Sequence, residues 1–335
     1  MATDQAGFFK DHPYIIEAER LNKEHADRRA FHTAMEPVLK KMAEDKEFML
    51  QVIERNYGDK GWLQMDWSDF NIPAFYVYEN DDMIIKVHLF PAGPVGMQHY
   101  AAHAIHHHNN YILTTYAFFG SGYESFLFEK DPKVDDQSLN TELKVNKHFH
   151  QKEWNPSRVD SWEPHIVFLP ESLSATFLMW SPDQKRKTDK LRNNPILKPF
   201  KKELRHLIYK LGAGDKLGIA REKTYQFYVN DGQTFGIDEA EYFGPSKAAN
   251  GPEQKEYAMR MIYSFLQKAE LVNKSALKTA LADNDTPQYH KDFIARVLDD
   301  EQIDEVLHRH ELNIPNKSYT KKDIMEACGY DLIQN

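Results

Sequence analysis

The chain has a single cysteine, Cys328, among its 335 residues. An internal disulfide and a cysteine-based zinc site are therefore both excluded. No run of about 18 apolar residues occurs, so no membrane span is expected. The opening MATDQAGFFKDHPY has neither a basic start nor an apolar core segment, which argues against secretion. Basic residues are the minority, 42 Lys and Arg against 51 Asp and Glu, and a net charge of −9 speaks against a nucleic-acid surface. No internal repeat and no low-complexity segment is found. A calcium loop is also excluded: after Asp283-Asn284-Asp285, Gln288 and Ile294 stand where the required glycine and glutamate belong. These absences leave a globular cytoplasmic enzyme or binding protein, long enough for one large domain or two ordinary ones.

Secondary-structure signals come in three blocks. Residues 11–60 read as helices, with Phe31, Met35, Val38, Leu39 and Met42 forming one apolar stripe. Asp45 can cap the next helix, which buries Phe48, Met49, Val52 and Ile53 and has Gly58 near its end. From Trp62 the texture turns aromatic and β-branched. Phe75–Tyr78 and Met83–Phe90 read as strands joined across Glu79-Asn80-Asp81-Asp82. Strands follow at Tyr111–Phe119, Tyr123–Phe128, Lys144–His150 and twice within Pro164–Trp180, with a surface loop at Asp131–Thr141. Short strands without intervening helices point to a sandwich or barrel. Residues 183–203 are basic and polar, a linker or an exposed helix. One more strand is expected at 224–229, before the turn Asn230-Asp231-Gly232. The rest reads as helical, with Tyr257, Met261, Phe265 and Ala269 on one face, then Phe293, Val297 and Leu298, then Ile303, Val306 and Leu307. Thr320 to Asp323 forms a capping-box pattern, and Gly329 sits where a helix-ending glycine belongs.

The chemistry-bearing stretch is His103–Gly122. Three consecutive histidines, His106 to His108, precede the strand Tyr111–Phe119, and Gly120-Ser121-Gly122 is expected to turn it into a hairpin with the strand after it. Residues i and i+2 of a strand share a face, so His106 and His108 point together and His107 away. Two neutral imidazoles on one face make half of a divalent-metal site. Other candidates are His99, His103, His165 and a second pair, His148 and His150, with Glu153 beyond it. A lone histidine is usually structural, and His148/His150 is expected to lie at the surface or behind the site.

The sequence resembles the cupins in this region. Their first motif has a glycine, His-x-His, a glutamate and a closing glycine. Here Tyr100 replaces the first glycine, His106-x-His108 follows, Leu113 replaces the glutamate, and Gly120 closes the motif. The second motif's histidine position falls at Ala175. Within the cupins the chain is similar to the thiol dioxygenases, which bind iron through three histidines without a carboxylate. Ile105 to Gly120 matches their first motif, and His165-Ile166-Val167-Phe168, running on to Pro182, matches the order around their third histidine. The resemblance covers roughly residues 83–182. It implies Fe(II) held by His106, His108 and His165, with open positions for a small-molecule substrate and O2. Leu113 and Trp180 stand near the family's crosslinked cysteine and tyrosine, so that crosslink is absent. Lys86, Arg158, Tyr111 and Trp180 are the candidate substrate contacts.

The expected fold class is therefore α+β, a cupin-like double-stranded β-barrel flanked by N-terminal and C-terminal helices. Residues 1–61 form a helical layer, 62–182 the barrel, and 183–335 a mainly helical region. The function expected is a non-haem Fe(II)-dependent oxygenase or dioxygenase on a small molecule, a thiol among the candidates, with a homo-oligomer left open. The alternatives are another divalent metal (Zn, Mn or Ni) in an isomerase or lyase, and a non-catalytic cupin scaffold whose helical C-terminal region binds a partner.

Overall fold

A computed structural model describes residues 9–65, 72–93, 105–130, 132, 134–135, 140–153, 155–185, 223–229, 235–241, 252–304 and 320–330. The chain opens with four helices: α1 (Pro13–Glu24), α2 (Arg28–Glu44), α3 (Lys46–Tyr57) and the single turn α4 (Lys60–Leu63). Their starts are set by side chains that satisfy free backbone N–H groups. Asp27 accepts from the Arg29 N–H at 2.9 Å, and Asp45 from that of Phe48 at 2.9 Å. The stripe read from the sequence, Phe31 to Met42, is buried throughout.

Thirteen strands follow. Those of the first sheet are β1 (Ala74–Glu79), β2 (Ile84–Phe90), β4 (Tyr111–Phe119), β9 (Ser157–Val159) and β11 (Ser174–Pro182), in the order β1-β2-β11-β4-β9. Those of the second are β3 (Ile105–His106), β5 (Glu124–Phe128), β6 (Val134–Asp135), β7 (Asn140–Thr141), β8 (Val145–His150), β10 (His165–Val167), β12 (Lys223–Val229) and β13 (Phe235–Glu241), in the order β6-β7-β13-β12-β3-β10-β5-β8. Every pairing is antiparallel. Helices α5 (Pro252–Lys268), α6 (Lys274–Ala282), α7 (Gln288–Leu298) and α8 (Lys321–Cys328) complete the described chain. Helices flanking two antiparallel sheets are an α+β arrangement. Among the described residues no helix is long and apolar enough to cross a membrane.

Alternation along the strands divides the molecule into layers. Ile85, Val87 and Leu89 of β2, with Ala175, Phe177 and Met179 of β11, face outward and join α1–α3 and α5–α7 in the largest core. The opposite face of this sheet meets the second one: Phe90, Leu113, Val159, Leu178 and Trp180 pack with Leu127, Phe149 and Val167. Outside the second sheet, Phe126, Phe128, Ile166, Phe168 and Phe227 are covered by Ile324 and Ala327 of α8. The capping box Thr320/Asp323 and the left-handed Gly329 (φ 60°) form as their residues require.

One expectation needs correction. The stretch 111–128 is not a hairpin. β4 pairs with β9 and β11, β5 with β8 and β10, and the chain between them passes from one sheet to the other. Gly120 (φ 80°) makes that crossing, and a Cβ there would lie 2.1 Å from the Leu173 carbonyl oxygen. β10 and β11 likewise part into different sheets. The hairpin reading assumed that strands adjacent in sequence pair, whereas here each turn spans the gap between sheets. The strand at 224–229 is present and pairs with β3, and β13 accompanies it. His99, His103, Tyr100, Asn230 to Gly232, Val306, Leu307 and most of 183–203 lie outside the described residues.

His32 on α2 is fully buried and ties the helical layer to the sheet, its ring nitrogens lying 2.7 Å from Thr114 Oγ1 and 2.8 Å from Ser181 Oγ. His290 is equally buried, with Nδ1 3.0 Å from the Tyr263 hydroxyl. Burial pushes the first well below the ordinary histidine value and the second down to about 3.

Two outcomes are expected. Unfolded histidines take up a proton near pH 6.5 while these native rings stay neutral, so their contribution is complete above that pH and is lost as pH falls towards the native values. Below 6.5 each adds a slope approaching about 1.4 kcal/mol per pH unit. Urea unfolding at pH 7.5, 6.5 and 5.5 should show this loss, and His290→Gln should flatten it; an unchanged slope would mean that the native ring is protonated. Gly120→Ala should destabilise the fold by more than about 1 kcal/mol, read as a lower urea midpoint, because its φ and the Leu173 carbonyl both oppose a side chain.

Candidate metal centre

The site lies between the sheets, where three short pieces of chain meet. β3 pairs with β10 so that His106 stands directly opposite His165. Opposed residues of an antiparallel pair put their side chains on one face, with Cβ atoms about 5 Å apart. His108 follows β3 in the turn that leads to β4. Ring centroids are 4.4 Å apart for His106 and His165, 4.5 Å for His108 and His165, and 5.1 Å for His106 and His108. One ring nitrogen from each lies within 4.8 Å of the others. His106 Nε2 and His108 Nε2 are 3.3 Å apart.

These distances suit a shared metal ion. With metal–nitrogen bonds of about 2.0–2.1 Å, adjacent ligand nitrogens stand roughly 3.0–3.4 Å apart. Among the described residues the donor set is three imidazoles with no carboxylate, which fits Fe, Zn, Cu or Ni better than Mg or Ca. Nδ1 of His165 lies 3.4 Å from the Glu163 carbonyl oxygen. A proton on Nδ1 leaves Nε2 as the lone-pair donor, the usual outer support of a ligating histidine. His107 turns away as expected: its Nδ1 accepts from the Asn109 N–H at 3.1 Å, and its ring packs on Trp162 with centroids 5.2 Å apart.

The wall beside the histidines is apolar and aromatic. Trp180 packs on His108 with centroids 4.5 Å apart, and Tyr111 lies 6.3 Å from Trp180. Leu113, paired with Trp180 and Val159, faces the same interior and supplies no ligand. Ala175 sits in the helix-facing core, so β11 brings no donor there. Lys86 also faces inward, opposite Leu178 and thus two residues along from Trp180.

Other candidates lie elsewhere. Arg158 is on the opposite face of β9 from Val159, and it bonds Glu36 at 2.5 Å and Thr33 at 2.9 Å; the structure does not bring it to the histidines. His148 bonds the Glu124 carboxylate, which also takes Lys321, and its ring packs on Phe126 in the outer core of the second sheet. His150 Nδ1 accepts from the Lys152 N–H at 3.3 Å. Sequence reasoning missed His88, which shares the inward face with Lys86; the alternation in Ile84-Ile85-Lys86-Val87-His88-Leu89 was the signal.

An α+β protein of two facing antiparallel sheets, with three imidazoles converging between them, is what fold and site define. No family model and no curated protein matches this chain. Among solved structures, an RmlC-like cupin family protein with a double-stranded β-helix fold from Methanocaldococcus jannaschii is 14% identical over 34% of this chain and 82% of that one, with a TM-score of 0.21. The DMSP lyase DddQ of Ruegeria pomeroyi DSS-3 is 15% identical over 33% of this chain and 47% of that one, TM-score 0.21. An oxalate decarboxylase of Bacillus subtilis is 14% identical over 42% of this chain and 32% of that one, TM-score 0.20. Overlaps of this size leave the chemistry to be read from the site's own residues.

Replacing His106, His108 or His165 by Ala should each abolish metal retention, because two imidazoles hold a labile divalent ion weakly. Elemental analysis after anaerobic Fe(II) loading and desalting checks this. The double His148→Ala, His150→Ala variant should keep the wild-type metal content; loss there would place the site on β8.

Proposed function

We propose that this protein is a non-haem Fe(II)-dependent oxygenase or dioxygenase of the three-histidine cupin type, acting on a small molecule held between the sheets. The observation that carries the reading is the convergence of His106, His108 and His165 with no carboxylate among them. Three neutral donors leave a divalent ion its full charge, which favours an anionic or chelating substrate; a thiolate is the first class to test. When bound, the ion supplies a Lewis-acidic, redox-active centre for O2 chemistry. His106, His108 and His165 would hold it. The Glu163 carbonyl fixes the His165 ring, and the Asn109 N–H and Trp162 keep His107 turned away. Trp180, Leu113 and Val159 form a dry wall that limits water at the reacting face. Further parts of the reading are cytoplasmic residence and the absence of nucleic-acid and membrane partners.

A second reading, a cupin scaffold without catalysis, draws on Leu113, an apolar residue where a cupin carboxylate ligand is expected. Metal content separates the two. Iron-loaded protein should consume O2 in the presence of a thiol such as cysteamine, and His165→Ala should lose both iron and O2 uptake. Iron retention without O2 uptake over a panel of thiols would move the substrate class. Failure to retain iron, zinc, manganese or nickel would leave the scaffold reading. Metal binding should also raise Tm, by about 2.7 kcal/mol of stabilisation at a hundredfold excess over Kd, and a chelator should reverse it.

A further inference from the structure

A lysine, a histidine and a tyrosine that ligate nothing in the three-histidine cluster share the inward face of β1 and β2. β2 sends Ile85, Val87 and Leu89 to the helices, so Lys86 and His88 face the space between the sheets. Lys86 pairs across the strands with Tyr76 on β1 and Leu178 on β11; His88 pairs with Ala74 and Thr176. The Lys86 ammonium lies 4.3 Å from the centroid of the Tyr76 ring. Among the described residues, no carboxylate or other acceptor is within hydrogen-bonding or ion-pairing distance of it, and no hydrogen bond engages the His88 ring. Each of the three side chains keeps some accessible surface although it lies deep in the fold.

We propose that Lys86 is a carbonyl-reactive amine that forms an imine with an aldehyde or ketone entering between the sheets, with His88 as its proton carrier. A largely buried lysine that forms no hydrogen bond or ion pair with any described residue is an activated nucleophile. Burial holds the Lys86 amine below its ordinary value against the opposing charge of Glu79, and burial together with Lys86 holds His88 down at about 3. A neutral imidazole can take a proton and return it. In the step, the amine lone pair attacks the carbonyl carbon, a C–N bond forms, and the C=O π pair moves to oxygen. One N–H proton passes through His88 to that oxygen. Loss of water breaks the C–O bond as the second N–H proton departs, giving C=N; no oxidant, reductant or metal is needed. Residues i and i+2 of a strand lie about 6.6 Å apart along it, so His88 is placed to serve the end of the Lys86 side chain.

The test uses the full-length protein without added metal, so its outcome is independent of the iron reading. Brief treatment with acetaldehyde and sodium cyanoborohydride at pH 7, followed by peptide mass spectrometry, measures ethylation at each lysine. Lys86 should be labelled severalfold faster than exposed lysines such as Lys40 and Lys322, since burial of the amine leaves more of it unprotonated. His88→Gln, a variant checked for folding by circular dichroism, should slow labelling at Lys86 while leaving Lys40 unchanged. Lys86 labelled no faster than the exposed lysines in folded protein overturns the proposal. So does an unlabelled Lys86 combined with weaker benzoate binding by Lys86→Met, which would make the lysine an anion anchor instead.

Discussion

The pairing of β3 with β10 is the constraint on which the site depends. These are among the shortest strands of the second sheet, yet their single register pair is His106 against His165. A slip of one residue would turn both imidazoles to the face where Ile105 and Ile166 now pack with Phe126 and Phe168. Ile105 and Ile166 therefore hold the register. They bury on the outer face of the sheet, and burying them obliges the histidines to point inward. The apolar core outside the sheet and the polar cluster inside it are two consequences of one alternation.

The same logic acts on the first sheet. Its outer face is the apolar floor under seven of the described helices, and its inner face carries the unusual residues: Lys86 and His88 on β2, Trp180 on β11, Tyr111 and Leu113 on β4. The helical layer thus stabilises the site without touching it. Buried polar bridges complete the attachment. His32 reaches from α2 to Thr114 and Ser181, and Asn56 of α3 bonds both the carbonyl and the N–H of Tyr76, at 2.8 and 2.9 Å, covering the edge strand β1. An edge so covered offers fewer free backbone groups for pairing with another chain.

Much of this was legible from residues alone. Helical periodicity marked α2 and α3, Asp45 marked the start of α3, and the β1–β2 hairpin followed from four polar residues between two β-rich runs. The His-x-His spacing singled out His106 and His108, and the order of residues around His165 added the third. What failed was partnership. Tyr111–Phe119 and Glu124–Phe128 look like a hairpin because they are neighbours in sequence and separated by glycines. Nothing local says that Gly120 leads across a gap rather than around a turn. Arg158 has the charge of a substrate contact, but strand alternation directs it to Glu36 on α2.

Sequence by itself determined the described helices α2 and α3, most of the longer strands and which side chains share a face, because these follow from local periodicity of the backbone; β6, β7, β9 and β13 were not legible in it. It also limited the metal donors to imidazole and carboxylate, since a single cysteine leaves no thiolate set. Tertiary structure alone decided which strands pair, and so which faces meet. It placed His165 opposite His106 across 59 residues of chain, left Lys86 inside with no ion pair among the described residues, and sent Arg158 to Glu36. The physical reason is that strand pairing is settled by burial of whole sheet faces. That sum over distant residues cannot be read from any one stretch of the chain.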